Sequence, residues 1–268
     1  MYLLQIVLIL VGTLTLSASA DAQARLRLAT TTSTDDSGLL DVLLPPFEKM
    51  YDARVEVIAV GTGKALKIAQ NGDVDVVLVH ARALEDRFIR DGFGVDRRDV
   101  MYNDFVIVGP AADPGQTAAS DNATEAVTII SSAKAIFVSR GDESGTHQKE
   151  KTLWSSANIA PEGTWYLEVG QGMGATLRIA DEKQAYCLVD RGTYLALKEK
   201  VDLEILVEGD PILYNPYGII AVNPTRWPHV NYALATALMD WVTSEQGRKI
   251  IGDYSRNGDV LFKPSVRE

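Results

Sequence analysis

The sequence predicts an α/β protein with largely parallel sheets, and three observations carry that prediction. Runs rich in β-branched and apolar residues recur along the 268-residue chain. A polar or glycine-rich turn follows each run, and stretches with helical spacing lie between them. An apolar content of 46% supplies a real core and excludes wholesale disorder. Strand-like runs fall at 25–29, 54–60, 74–80, 104–110, 135–139, 164–169, 185–189, 203–207 and 217–222. Helical patterns fall at 37–51, 64–71, 146–157, 176–183 and 229–244. The last places Val230, Leu234, Leu238 and Trp241 on one face, the stripe of a core-facing helix. Alternating strand and helix is the pattern of layered α/β folds.

Composition removes several function classes. A formal net charge of −10 argues against nucleic acid, whose phosphates need a basic face. One cysteine, Cys187, excludes an internal disulfide and any multi-cysteine metal site, and three histidines leave little for zinc. Neither a metal nor a cofactor is expected. Residues 2–16 form an apolar run followed by the small-residue steps Ala18-Ser19-Ala20, Ala20-Asp21-Ala22 and Ala22-Gln23-Ala24. The run is shorter than the ~20 residues a membrane span needs, so 1–24 reads as a cleaved signal peptide, although no Lys or Arg precedes it. No cysteine lies near the cleavage steps to take a lipid, so a periplasmic protein without a lipid anchor is expected. The Gly, Pro, Asp and Asn-rich stretches 111–119 and 209–217 look like connectors. A chain crossing at both would form one lobe from 25–110 plus 217–268 and a second from 111–216, with a cleft between.

Four loops share one geometry. RLRLA runs into Thr30-Thr31-Thr32-Ser33-Thr34, and VEVIAV runs into Gly61-Thr62-Gly63-Lys64. AIFVS runs into Arg140-Gly141-Asp142-Glu143-Ser144-Gly145-Thr146-His147, and YLEV runs into Gly170-Gln171-Gly172-Met173-Gly174. In each, the carboxyl end of a strand meets the amino end of a helix, where open α/β sheets bind ligands. Unpaired N–H groups there suit an anion, glycines let the backbone approach it, and hydroxyls add donors. Arg140, and more weakly Lys64, would add fixed charge. Any one such loop is ordinarily just an N-cap and a steric turn; four of the same composition point to a shared anion site.

Other motifs are weaker. Gly61-Thr62-Gly63-Lys64 lacks the spacer and the final hydroxyl of a P-loop. Gly170-x-Gly172-x-x-Ala175 fits a dinucleotide fingerprint with Asp190 about 20 residues on, which makes an NAD-dependent enzyme the rival of a different class. Ser144 and His147 lie close together but without a nucleophile elbow. His80, His229 and Tyr102-Asn103-Asp104 read as structural, Asp35 and Asp36 as charges at a helix start, and Cys187 as a buried thiol.

The motifs TTTSTDDSGLLD, VGTGKAL, DVVLVHAR, MYNDFVIVGP, SRGDESGTH, GQGMGATL, DRGTYL and NPYGIIAVNP together resemble those of periplasmic tungstate-binding proteins, the solute receptors of tungstate-uptake ABC importers. The resemblance covers nearly the whole chain after residue 24. It implies a type II periplasmic solute-binding fold, a monomer whose two α/β lobes close on an oxyanion, and a membrane permease as partner. It also implies a ligand set of Thr31, Thr32, Ser33, Thr62, Arg140, Ser144, Gly145, Thr146 and, as a backbone donor, Gly174. Molybdate, sulfate and phosphate receptors use related scaffolds. Asp142 bears on that choice: facing the ligand it would accept a proton from hydrogen phosphate, whereas holding Arg140 it would leave a donor-only site for tungstate or molybdate.

Overall fold

The computed structural model describes residues 23–256 and 258–265. The expected leader lies outside them up to residue 22; Ala24 already opens the first strand, paired with Ala53. In chain order the elements are β1 (Ala24–Thr31), α1 (Thr32–Asp36), α2 (Leu40–Tyr51), β2 (Ala53–Val60), α3 (Thr62–Gln70), β3 (Val76–Val79), α4 (Arg82–Arg90) and β4 (Gly94–Pro110). Then follow α5 (Ala123–Ala133), β5 (Phe137–Ser139), α6 (Gly145–Ser156), β6 (Tyr166–Glu168), α7 (Met173–Glu182), β7 (Cys187–Asp190), α8 (Arg191–Leu197) and β8 (Leu203–Val207). The chain closes with β9 (Tyr214–Val222), α9 (Tyr232–Val242), α10 (Glu245–Asp253) and the two-residue strands β10 (Ser255–Arg256), β11 (Asp259–Val260) and β12 (Lys263–Pro264).

The α/β class holds, but the sheets are mixed rather than largely parallel. β1 pairs β2 and β3 in parallel, and β5 pairs β6 likewise. Every pairing of β4 and β9 is antiparallel: β9 with β3 and β4, and β4 with β7, β8 and β12. The reason is that β4 is one 17-residue strand serving two groups of neighbours. Its first part, through Asp104, pairs β9, and Phe105–Val108 pair β7, while Ile107–Pro110 pair β8. A single bridge between Phe137 and Tyr186 extends the β7 side to β5 and β6. The 94–103 half was not legible as a strand because register shifts between Val95 and Arg98 and between Asp99 and Met101 break its alternation.

Alternation along the strands builds a core on each face. Val76 and Leu78 join Leu26, Leu28, Leu43, Phe47 and Leu238 in one buried cluster, while Val77 and Val79 join Ala65, Leu66, Phe88 and Ile220 in another. The same holds past Asp104. Phe105 and Ile107 pack with Val127, Ile130, Leu153 and Trp154, whereas Val106 and Val108 share a cluster with Met173, Leu177 and Cys187. Helices therefore cover both sides of both strand groups. The helix expected from residue 37 starts at Leu40 instead. Gly38, at φ 81, separates it from the one-turn α1, a backbone conformation that L side chains rarely adopt.

Candidate oxyanion-binding site

Each of the four loops opens a helix, and they meet in two pairs. Thr31 caps α1, Gly61 caps α3, Ser144 caps α6 and Gly172 caps α7. Two of these caps are glycines without a side-chain acceptor, so the first-turn N–H groups of α3 and α7, Gly174 among them, have no capping partner from that position. Close approaches knit the loops together. A Cβ on Gly145 would sit 3.1 Å from Thr62 Oγ1, and one on Gly61 3.6 Å from Ser144 Cβ. One on Gly63 would lie 3.2 Å from the Glu143 carbonyl oxygen, and one on Gly172 3.9 Å from Thr32 Oγ1. Glycine is needed at 145 because that position leaves so little room.

The hydroxyls divide into two groups. Thr31 Oγ1 lies 2.7 Å from Thr34 Oγ1 and 3.1 Å from Ser33 Oγ, and Ser144 Oγ accepts from the His147 N–H at 3.3 Å. Accepting at its oxygen leaves the Ser144 O–H free to donate. Thr32 Oγ1, Thr62 Oγ1 and Thr146 Oγ1 are buried with no hydrogen-bond partner among the described residues, and so is Arg140 Nε. A buried polar atom without a partner costs about 1–3 kcal/mol. These four come from three of the four loops.

Arg140 is 4% exposed and donates through Nη2 to Asp142 Oδ2 at 2.5 Å. The other oxygen of Asp142 accepts the Ser144 N–H at 3.1 Å. Asp142 therefore holds Arg140 and the turn, the second of the two arrangements open to it. Lys64 is exposed and adds no fixed charge among these atoms. In α6, the buried Glu150 carboxylate accepts from Ser139 Oγ (2.8 Å), Trp154 Nε1 (3.1 Å) and Tyr166 Oη (2.7 Å). No cation pairs with it among the described residues, and burial pushes its pKa up to about 7. Sequence reasoning missed this carboxylate, since nothing in GTHQKEKTLW marks which charge turns inward.

The rival dinucleotide reading loses its acidic residue. Asp190 is buried at the start of α8, accepting the Thr193 N–H at 2.9 Å and the Thr193 hydroxyl at 2.7 Å. That is a helix cap, with both carboxylate oxygens engaged. Among the described residues no cluster of three or more His, Cys, Asp or Glu side chains is placed to hold a metal ion. Likewise no described helix is long and apolar enough to cross a membrane.

Such a fold and site define a solute-binding protein of the periplasmic-binding-protein class, and the PBP superfamily domain matches residues 17–246. A tungstate-binding protein TupA of Peptoclostridium acidaminophilum is 48% identical over 237 residues, spanning 87% of this chain and 83% of that protein. The crystal structure of the tungstate ABC transporter from Geobacter sulfurreducens is 60% identical, with a TM-score of 0.81 over 87% of this chain and 100% of that one. The tungstate-binding protein TupA of Desulfovibrio alaskensis G20 is 46% identical, with a TM-score of 0.78 over 91% and 100% of the two chains. The chain belongs to the tungstate-binding protein family of ABC importers.

Proposed function

We propose that this protein captures tungstate between two lobes and delivers it to the membrane permease of an ABC importer, without catalysing a reaction. The observation that carries the proposal is the set of four unpartnered buried donors, Thr32, Thr62 and Thr146 hydroxyls with Arg140 Nε, in a place where Asp142 is already engaged. In this reading the N–H groups at the starts of α3, α6 and α7, including Gly145 and Gly174, complete the shell. Thr31 and Ser33 bond to hydroxyl or ring partners inside the protein, and Ser144, whose oxygen accepts the His147 N–H, keeps its O–H to give to the anion. A site of donors alone favours a fully deprotonated dianion over hydrogen phosphate, which needs an acceptor for its proton. Charge-assisted hydrogen bonds contribute about 1.5–3 kcal/mol each, so six or more bring nanomolar binding within reach.

Closure accompanies capture, as in hinged binding proteins. We place the crossings at Asn103–Asp104 in β4, after which its partner changes from β9 to β7, and at the facing residues Tyr214–Asn215 that begin β9. In this proposal the lobes divide near 104/105 and 214/215, a few residues before the ends of the first lobe's segments expected from the sequence. Export with removal of the leader, life in the periplasm without a lipid anchor, and a monomeric state belong to the same proposal. Calorimetric titration of the chain from Arg25 onward with tungstate, molybdate, sulfate and phosphate tests it. Tight tungstate binding with weak sulfate and phosphate is the expected result; tight phosphate or no binding contradicts it.

A further inference from the structure

His80 directly follows β3 and is 4% exposed. Its ring stacks on Tyr217 of β9 at 4.6 Å between centroids and lies 6.2 Å from that of Phe105 of β4. Nδ1 is 3.0 Å from Asn215 Oδ1, and Nε2 is 3.3 Å from Ser33 Oγ. Asn215 in turn donates through Nδ2 to Asn103 Oδ1 at 2.7 Å, and these two asparagines are register partners across β4 and β9. Because the Asn215 amide nitrogen is spent on Asn103, its oxygen accepts, so His80 Nδ1 carries the ring proton and Nε2 accepts the Ser33 hydroxyl. On the remaining side the first residue of α6 presses against it: a Cβ on Gly145 would lie 3.0 Å from the His80 carbonyl oxygen and 3.3 Å from its Cε1.

We infer that His80 is a positioning residue for lobe closure, tying the ligand loop at Ser33 to the Asn215–Asn103 pair at the crossing and thereby setting how long the closed, occupied state lasts. The inference rests on the tungstate-receptor reading above. An oxyanion on Thr32 fixes the loop in which Thr31 holds Ser33 at 3.1 Å. That fixes the hydroxyl seen by His80, and through it the angle at which the two long strands meet. Opening about the asparagine pair must lift Gly145 from His80, so the same ring registers both the ligand loop and the opposing lobe. A link of this kind acts on the escape step, since the encounter needs only one lobe.

The test is stopped-flow binding of tungstate to the wild type, His80→Phe and Ser33→Ala. The phenylalanine keeps the ring against Tyr217 and removes both nitrogens; the serine variant cuts the same link from its far end and carries the test if His80→Phe does not fold. Expected are association rates within about twofold of wild type and dissociation about tenfold faster in each, with the double variant no worse than the more severe single one. Unchanged dissociation in both variants overturns the inference. So does a lowered unliganded melting temperature with dissociation unchanged, which is the signature of packing alone. A wild type that binds no tungstate overturns the functional reading, and this inference with it.

Discussion

At the residue scale the proposed site is argued from which buried hydroxyls have no partner inside the protein. Thr62→Val keeps the shape of a buried side chain and removes an unpartnered oxygen. Calorimetry should show tungstate affinity falling about tenfold, while the unliganded melting temperature holds or rises because a buried unsatisfied group is gone. A melting temperature that falls with affinity unchanged would make Thr62 a structural residue. Arg140→Ala should cost more, about 100-fold in affinity, since it removes a buried cation and leaves the Asp142 carboxylate facing the dianion. Unchanged affinity there would remove Arg140 from the site. Arg140, Thr62 and Thr146 were legible as candidates from strand, turn and helix start. How the hydroxyls of Thr31, Thr32 and Ser33 are bonded was not, because it depends on which way each points around the start of the one-turn α1. His80 and Asn215 are 135 positions apart, and their pairing leaves no local pattern.

At the element scale the loops work because helix starts can approach one another closely. Gly145→Ala puts a methyl group 3.0 Å from the His80 carbonyl oxygen and 3.1 Å from Thr62 Oγ1, so α6 must back away from α3. Affinity for tungstate should fall at least about tenfold with the far-ultraviolet circular dichroism of the free protein unchanged; equal affinity would mean the lobes do not approach closely at this point. The elements with clean apolar periods were readable, α9 among them through Leu234, Leu238 and Trp241. Those carrying an inward charge were not. In α4 the buried pair is Glu85 and Phe88, and Glu85 is held by Arg97 at 2.7 Å, so its inner face reads as polar. α5 is rich in β-branched residues (ATEAVTIISSA), and only the Asn122 cap, which accepts the Glu125 N–H, signals a helix. Of the two stretches read as connectors, 111–119 lies outside the strands, whereas 209–217 runs into β9, where Asn215 and Tyr217 are buried.

At the scale of the whole molecule, Glu150 makes stability depend on pH. Its folded pKa near 7 stands above the ordinary carboxylate value of 4.5 because the protein buries it among neutral donors. Between those values the folded state binds the extra proton. The contribution is therefore complete below about 4.5 and is lost as pH rises through about 7, on the order of 3 kcal/mol in all. Glu150→Gln should flatten the melting temperature between pH 5 and 7.5 by removing the titrating group; an identical slope in the variant would assign the dependence elsewhere. The central claim is also a statement about the whole molecule, that four loops from both strand groups share one oxyanion. It is tested most directly by an anomalous difference map at a tungsten absorption edge, from crystals grown with tungstate. The account predicts a single strong peak within hydrogen-bonding reach of the Thr32, Thr62 and Thr146 hydroxyls and the Arg140 guanidinium. A peak elsewhere, such as the cavity of about 420 Å³ lined by Tyr102, Arg191, Tyr214 and Lys263, would contradict it.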